Sequence, residues 1–286
     1  MRFILGLILL FSFPVLGKTL KPQSLQELRD STVMIYNLEM NRGGTGSIFR
    51  SYANASHILT NEHVCDLTVN GGYVVRNNRR YLVTHYKKFP LHDLCLVRVA
   101  TGFGISLEVA PSLEKVPNVV YVSGHPNLLP HIVTKGHLTD RMEIELLKEV
   151  RTCTKEDYKT NAQQCMFFGG IPILETVDSQ VISNLIKPGN SGSAVFNTKG
   201  EIVGLVFAGE GRGFSSGFIV PQIYLYYFLQ NAHRQPWNRV GEKTDTAALD
   251  KKHQSYDKCS NYATFVKNAE IKNICKRIKD TMIWSK

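Results

Sequence analysis

The strongest constraint on the fold is a repeated pattern of short runs rich in Val, Ile, Tyr and Thr, broken at close intervals by Gly, Asn and Asp. Between residues 31 and 100 the runs are TVMIYN, GSIFRS, HILTNEHV, GYVVRN, YLVTHY and LCLVRVA. β-Branched and aromatic side chains suit a pleated surface, and the intervening residues supply the backbone angles that tight reversals need. Many short strands at such spacing predict an antiparallel barrel. A second set follows, comprising VVYVSG, HIVTKGHL, QCMFFGG, SQVISNLI, SAVFN, EIVGLVFAG and SGFIV. Between the sets, APSLEKVPN at 110–118 holds two prolines and little periodicity, as a linker does. Pro221 suits the first position of a helix, and IYLYYFLQNA continues with apolar residues on most faces, as a helix docked on a domain would. The expected architecture is all-β: two six-stranded antiparallel β-barrels with a C-terminal helix, then a small, disulfide-containing, helical C-terminal extension. The corresponding boundaries are 18–110, 111–231 and 232–286.

Composition bears on where such a chain works. With 43% hydrophobic and 20% charged residues, the chain is neither disordered nor a multi-span membrane protein. Met1-Arg2, an apolar run from Phe3 to Val15 and the small residue Gly17 read as a secretory leader cut before Lys18, so that a secreted or periplasmic protein is expected. The run falls short of the roughly 20 residues that span a bilayer, and no later segment reaches 18 apolar residues, so no transmembrane segment is expected. The net charge of +10 is uneven: residues 232–286 carry 12 basic and 6 acidic side chains, leaving +6 there. A solvated basic face explains this, and an anionic partner is what such an extension would attract, without specific nucleic-acid recognition. The stretch YATFVKNAEIKNICKRIKDTMI at 262–283 spaces its apolar residues at helical intervals. An exported chain oxidises its thiols, and the six cysteines, Cys65, Cys95, Cys153, Cys165, Cys259 and Cys275, allow 15 full pairings. The absence of any C-x-x-C pair disfavours zinc, and neither metal nor cofactor is expected. Asn54-Ala55-Ser56 is a glycosylation sequon.

Three places carry chemistry. Pro188-Gly189-Asn190-Ser191-Gly192-Ser193 sets a serine between glycines just before an apolar strand. Such glycines let backbone N–H groups turn toward a carbonyl under attack. His63 ends the strand HILTNEHV and Asp93 opens DLCLVRV. Singly, a glycine turn, a strand-end histidine and a strand-start acid are most simply structural. Together they supply a nucleophile, a base to take its proton and an acid to hold that base in one tautomer.

With these residues the chain resembles the trypsin-like (chymotrypsin-fold) serine proteases, with motifs nearest the high-temperature-requirement bacterial branch. The matching pieces are GGTGSIF at 43–49, ILTNEHV at 58–64, HDLCLVRV at 92–99, VSGHP at 122–126, VTKGHLT at 133–139, VISNLIKPGNSGSAVFNTKGEIVGLV at 181–206 and GFIVP at 217–221. The resemblance implies a His63, Asp93, Ser191 triad, an oxyanion hole from the Gly189 and Ser191 N–H groups, and protein or peptide substrates. It also implies a substrate pocket walled by 184–186, by Phe207-Ala208-Gly209 and by Gly217, with Leu185 at its base. An apolar base without a carboxylate implies cleavage after small or medium aliphatic residues. A basic side chain would lose its hydration there without gaining a partner. A triad brings the strands of Cys65 and Cys95 together, and closure entropy favours the sequence neighbours Cys153–Cys165 and Cys259–Cys275.

Several features depart from the family. Residue 193 is Ser where Gly is usual, and Phe207 stands where digestive relatives place a serine supporting the aspartate. The segment 141–165 reads as an insertion near the rim of the second barrel, and the 55 C-terminal residues are too few for a PDZ module. Asn190, lacking charge, stands where zymogen activation needs an aspartate to pair with a new amine, so activation by N-terminal cleavage is not expected. Two other readings are an idle protease-fold binding protein and an α/β-hydrolase. The latter's Ser, acid, His order would require His233 or His253 as base.

Overall fold

The computed structural model describes residues 22–89, 92–157, 171–209 and 216–241. The leader, Cys165, Cys259, Cys275 and the helical pattern at 262–283 lie outside the described residues.

The chain forms two rings of antiparallel strands, as the two sets of runs predict. The first comprises β1 (Thr32–Asn37), β2 (Arg42–Tyr52), β3 (Ala55–Thr60), β4 (Tyr73–Arg76), β5 (Arg79–Phe89) and β6 (Leu94–Val99). Their order is β5-β4-β1-β2-β3-β6, and pairing of β5 with β6 closes the ring. Alternation along the strands turns Val33, Ile35, Ile48, Ile58, Val74, Val83 and Val97 inward, all 0% exposed. Each such burial contributes roughly 1.5–3 kcal/mol.

The second ring holds β7 (Asn118–Gly124), β8 (Ile132–Arg151), β9 (Ile171–Ile182), β10 (Ala194–Phe196), β11 (Ile202–Gly209) and β12 (Gly217–Pro221). It is a closed barrel in the order β10-β11-β12-β9-β8-β7 around Val120, Leu138, Ile182, Val195, Val206 and Ile219. β8 and β9 continue paired from Glu143↔Asp178 to Arg151↔Ile171. The insertion foreseen from residue 141 is therefore based on a two-stranded extension of the barrel wall. Cys153 beyond it is disulfide-bonded.

Three short α-helices and one 3-10 turn (Pro126–Leu128) complete the described fold. The helix α1 (Pro22–Ser31) precedes the first strand and buries Leu28. The Leu28 carbonyl accepts hydrogen bonds from the hydroxyls of Ser31 and Thr32. The helix α2 (Glu62–Asp66) follows β3, and α3 (Gln222–Ala232) is the helix expected after Pro221. The apolar faces of α3 are explained by its position between the rings. Its Phe228 stacks on Phe89 of the first ring, with ring centroids 5.5 Å apart, in a cluster that also holds Phe196, Leu205 and Phe207 of the second.

One feature departs from the expected layout. The residues after α3, assigned to the extension, return to the first ring as a seventh strand, β13 (Asn238–Arg239), on β5. Trp237 packs there beneath Lys87, whose Nζ lies 4.5 Å from the ring centroid. The Lys87 ammonium also donates to the Ala232 carbonyl at the end of α3. No helix among the described residues is long and apolar enough to cross a membrane.

Candidate active site

The site lies where the two rings meet. His63 stands on α2, one turn after β3, and Asp93 immediately precedes β6, the neighbour of β3 in the sheet. That adjacency brings residues 30 apart in sequence into contact. The Asp93 carboxylate accepts a hydrogen bond from the His63 backbone N–H at 3.0 Å through Oδ1 and faces the ring at 2.8 Å, Oδ2 to Nδ1. One carboxylate thus fixes both the backbone and the imidazole of His63. It places the ring proton on Nδ1 and leaves Nε2 free to accept one. Two residues further along each segment, Cys65 and Cys95 form the disulfide expected of them.

Asp93 has a left-handed backbone, φ +49°, held by two neighbours. The Asn61 amide donates to its carbonyl oxygen at 3.0 Å. His92 is locked on its other side by stacking on Tyr224 of α3, with ring centroids 3.5 Å apart. Burial of its ring lowers the pKa of His92 to about 3, so it is neutral. Phe207 offers the Asp93 carboxylate no hydrogen bond and packs in the cluster between the rings. Asn61 supports the backbone of Asp93 instead, which a scan for a supporting hydroxyl overlooks.

The serine loop is fastened to the first ring through Thr45 of β2. Thr45 N–H donates to the Ser191 carbonyl at 2.8 Å, and its hydroxyl donates to the Gly189 carbonyl, also at 2.8 Å. Gly44 explains the closeness. A Cβ there would lie 2.7 Å from Val64 Cγ2 and 2.9 Å from the Ser191 carbonyl oxygen, so only a hydrogen fits between the histidine helix and the serine loop. The histidine helix, through Val64, and the serine loop therefore meet at a single glycine.

Gly189 adopts φ +92°, a conformation L side chains avoid. The preceding carbonyl, of Pro188, accepts a hydrogen bond from Asn127 N–H in the loop after β7. In a trans peptide this directs the Gly189 N–H to the opposite side. Neither the Gly189 nor the Ser191 N–H donates to any acceptor among the described residues. Two unpaired N–H groups beside one serine can receive an oxyanion. Asn127, which steers the Gly189 N–H, directly follows the VSGHP block, but its hydrogen bond to Pro188 has no signature in the sequence.

The residues expected to form the substrate pocket are only partly brought together. Phe207, Ala208 and Gly209 lie on β11, and Gly217 pairs with Gly209. Ile186, however, stands over both glycines. A Cβ at Gly217 would lie 2.3 Å from Ile186 Cγ1, and one at Gly209 3.0 Å from Ile186 Cγ2. Leu185 does not form the base: its side chain is 51% exposed and lines a separate cavity with Leu129 and Ile132. Residues 183–186 form no strand from which alternation would assign the inward side chain.

The electrostatics favour a charged-capable His63. Burial acts to lower its pKa, but the hydrogen bond to Asp93, the Asp93 charge and the nearby Asp66 and Glu62 outweigh it and raise the pKa above the ordinary value. Among the other histidines, His125 is lowered by burial. His131 falls to about 4 through burial and the neighbouring His125 and Arg29.

The model of the trypsin-like peptidase domain matches residues 44–205, more than half of the chain, and the chain belongs to that family of serine proteases. Solved structures share the fold. The Rv3671c protease of M. tuberculosis in its active form superposes with a TM-score of 0.57 at 18% identity, covering 79% of this chain and 89% of that one. A serine endoprotease from Yersinia pestis gives 0.53 at 21% identity, covering 74% and 66%. The HtrA-type protease AlgW, solved with a tripeptide, gives 0.55 at 18% identity, covering 74% and 64%. No curated protein matches the sequence.

Proposed function

We propose that this chain is a secreted serine endopeptidase in which Ser191, His63 and Asp93 act as nucleophile, base and orienting acid. The observation that carries the reading is the Asp93 carboxylate on His63 Nδ1 at 2.8 Å, next to a serine loop with two unpaired N–H groups. Ser191 Oγ attacks the peptide carbonyl while His63 Nε2 takes its proton. The oxyanion is received by the Gly189 and Ser191 N–H groups. Collapse of the tetrahedral intermediate breaks the C–N bond, His63 returns the proton to the leaving amine, and water repeats the sequence on the acyl-enzyme. Loss of one oxyanion donor typically raises such a barrier by roughly 2.7–4 kcal/mol.

Small or medium aliphatic residues are the P1 side chains this site favours. Ile186 over Gly209 and Gly217 leaves little depth, which favours Ala and Val over Leu, and none of the described groups there offers a carboxylate to Lys or Arg. The apolar N-terminal run supports export with cleavage after Gly17. The basic composition of 232–286 supports an anionic partner for the extension. Labelling of the purified mature protein by a fluorophosphonate, beside Ser191→Ala, tests the reading. The expected result is labelling and peptide hydrolysis by the parent chain and neither by the variant. Undiminished turnover by Ser191→Ala would show the assignment to be wrong.

A further inference from the structure

A cavity of about 160 Å³ lies behind the serine loop, between the loop after β7 and residues 185–190. Its walls include Val122, Leu129, Ile132 and Leu185, with Asn127, Thr134, Lys187 and Asn190 as polar members. Three of these apolar side chains are unusually open to solvent for their size: Leu129 at 54%, Ile132 at 45% and Leu185 at 51%. Asn190 is the opposite. It is 5% exposed, yet its side-chain amide makes no hydrogen bond among the described residues. That amide is not sealed in the interior but opens on the cavity, where a ligand can reach it. The pocket therefore offers an apolar surface for a short side chain, an unpaired amide and one cation.

Charge and size select the occupant. An amine would meet the Lys187 ammonium and no carboxylate, whereas a carboxylate would gain both Lys187 and the Asn190 amide. Apolar cavities near 150 Å³ accept a molecule the size of benzene, so the space holds one aliphatic side chain and not a lipid acyl chain. We infer that the cavity binds the C-terminal residue of a peptide, its aliphatic side chain against Leu129, Ile132 and Leu185 and its α-carboxylate between Lys187 and Asn190. The same chemistry is produced by cleavage after an aliphatic residue, so a product terminus is a natural occupant.

Occupancy bears on the reaction, and this part rests on the proposed role of Ser191. Asn127, whose N–H holds the Pro188 carbonyl, and Asn190, which precedes the nucleophile, both line the cavity. A ligand bridging the two loops holds the Gly189 N–H in its outward direction and raises the rate of attack without touching the substrate.

The test uses the full mature chain and an acetylated tripeptide, Ac-Gly-Gly-Leu, with a diazirine in the terminal leucine, as free acid and as amide. With Ser191→Ala, irradiation is expected to attach the acid to peptides containing 122–134 or 185–190. The amide and the Lys187→Glu variant should each weaken this at least tenfold. With the parent chain, saturating acid should raise the fluorophosphonate labelling rate severalfold. Crosslinks confined to peptides with His63 or with 207–219, equal capture of acid and amide, preferential capture of a peptide bearing a free N-terminal amine, or no capture at millimolar peptide would each overturn the site. Capture in the cavity with an unchanged labelling rate would overturn the coupling. If the parent chain does not label at all, the failure is that of Ser191 as nucleophile, and the crosslinks still report on the cavity.

Discussion

At the scale of the residue, the proposed role of His63 as base makes its imidazole the group that sets how the reaction depends on pH. Its hydrogen bond to Asp93, together with Asp66 and Glu62, carries its pKa above the ordinary value despite burial. Attack requires the neutral ring, so activity is expected to fall as pH drops through a pKa higher than about 6.5. Asp66 lies on α2 three residues after His63, with Lys88 as its ion-pair partner. Asp66→Asn removes a charge that raises the His63 pKa and is expected to move the acid limb of kcat/KM to lower pH while leaving the plateau near its parent value. An acid limb unmoved by Asp66→Asn in a pH–rate profile would deny that charge a part in the site. The contact between His63 and Asp93 was legible because each residue sits at a strand or turn junction inside a recognisable block. The Cys65–Cys95 pair followed from them by simple offset. Ile186 was not legible: its neighbour Leu185 is equally apolar, and in a loop neither alternation nor helical period says which side chain faces Gly209 and Gly217.

At the scale of the element, α3 joins the barrel that carries Ser191 to the loop that carries Asp93. Tyr224 stacks on His92 and donates its hydroxyl to Asp178 Oδ2 at 2.6 Å. Removing a buried aromatic ring typically destabilises a fold by about 3–5 kcal/mol. Tyr224→Ala is therefore expected to lower the urea midpoint and to reduce kcat more than it alters KM, since it loosens the residue before Asp93. Tyr224→Phe, which keeps the stack, should retain most of kcat. Equal losses in kcat for the two variants would place the effect in the hydroxyl. The disulfide acts at the same scale. Cys65–Cys95 closes a loop with a sequence separation of 30, for which chain entropy gives about 3–4 kcal/mol. Replacing both cysteines by alanine should cost about that much in chemical denaturation. The helix α3 was legible from Pro221 and its apolar faces. The helix α1 was not, because PQSLQELRDS is mostly polar and its order depends on Leu28 and on hydroxyls that the first strand and β7 supply.

At the scale of the whole molecule, three ties hold the two rings together: the Thr45 hydrogen bonds to the serine loop, the packing of α3, and the return of 233–241 to β5. The first two involve blocks that the sequence made visible. The third depends on Trp237 meeting Lys87 and His57, residues more than 140 positions away, so no local pattern announced it. Histidines lie at or beside these ties, and this gives the fold as a whole a pH dependence. Burial, with Arg98 and Lys87 nearby, lowers the pKa of His57 to about 4. The ring of His57 lies 4.8 Å from that of Trp237. His92, under α3, is lowered to about 3, and His131, bonded to Ser123 at 2.7 Å, to about 4. In the unfolded chain all three take up protons near pH 6.5. Between that pH and about 4 the unfolded state thus binds more protons than the folded one, and stability falls as pH falls. His63 acts in the opposite sense, since its raised pKa gives a contribution present below about 6.5 and lost as pH rises through its folded value. His125, lowered by burial as well, adds to the first set, and Glu62, raised by burial, acts with His63; four lowered groups against two raised ones make the net direction acid-destabilising. The urea midpoint is expected to decline steadily from pH 7 to pH 4.5, and His57→Gln should make that decline shallower without abolishing it. A midpoint constant over this range would mean that these histidines titrate alike in the folded and unfolded chains, contrary to their burial at the ties between the rings.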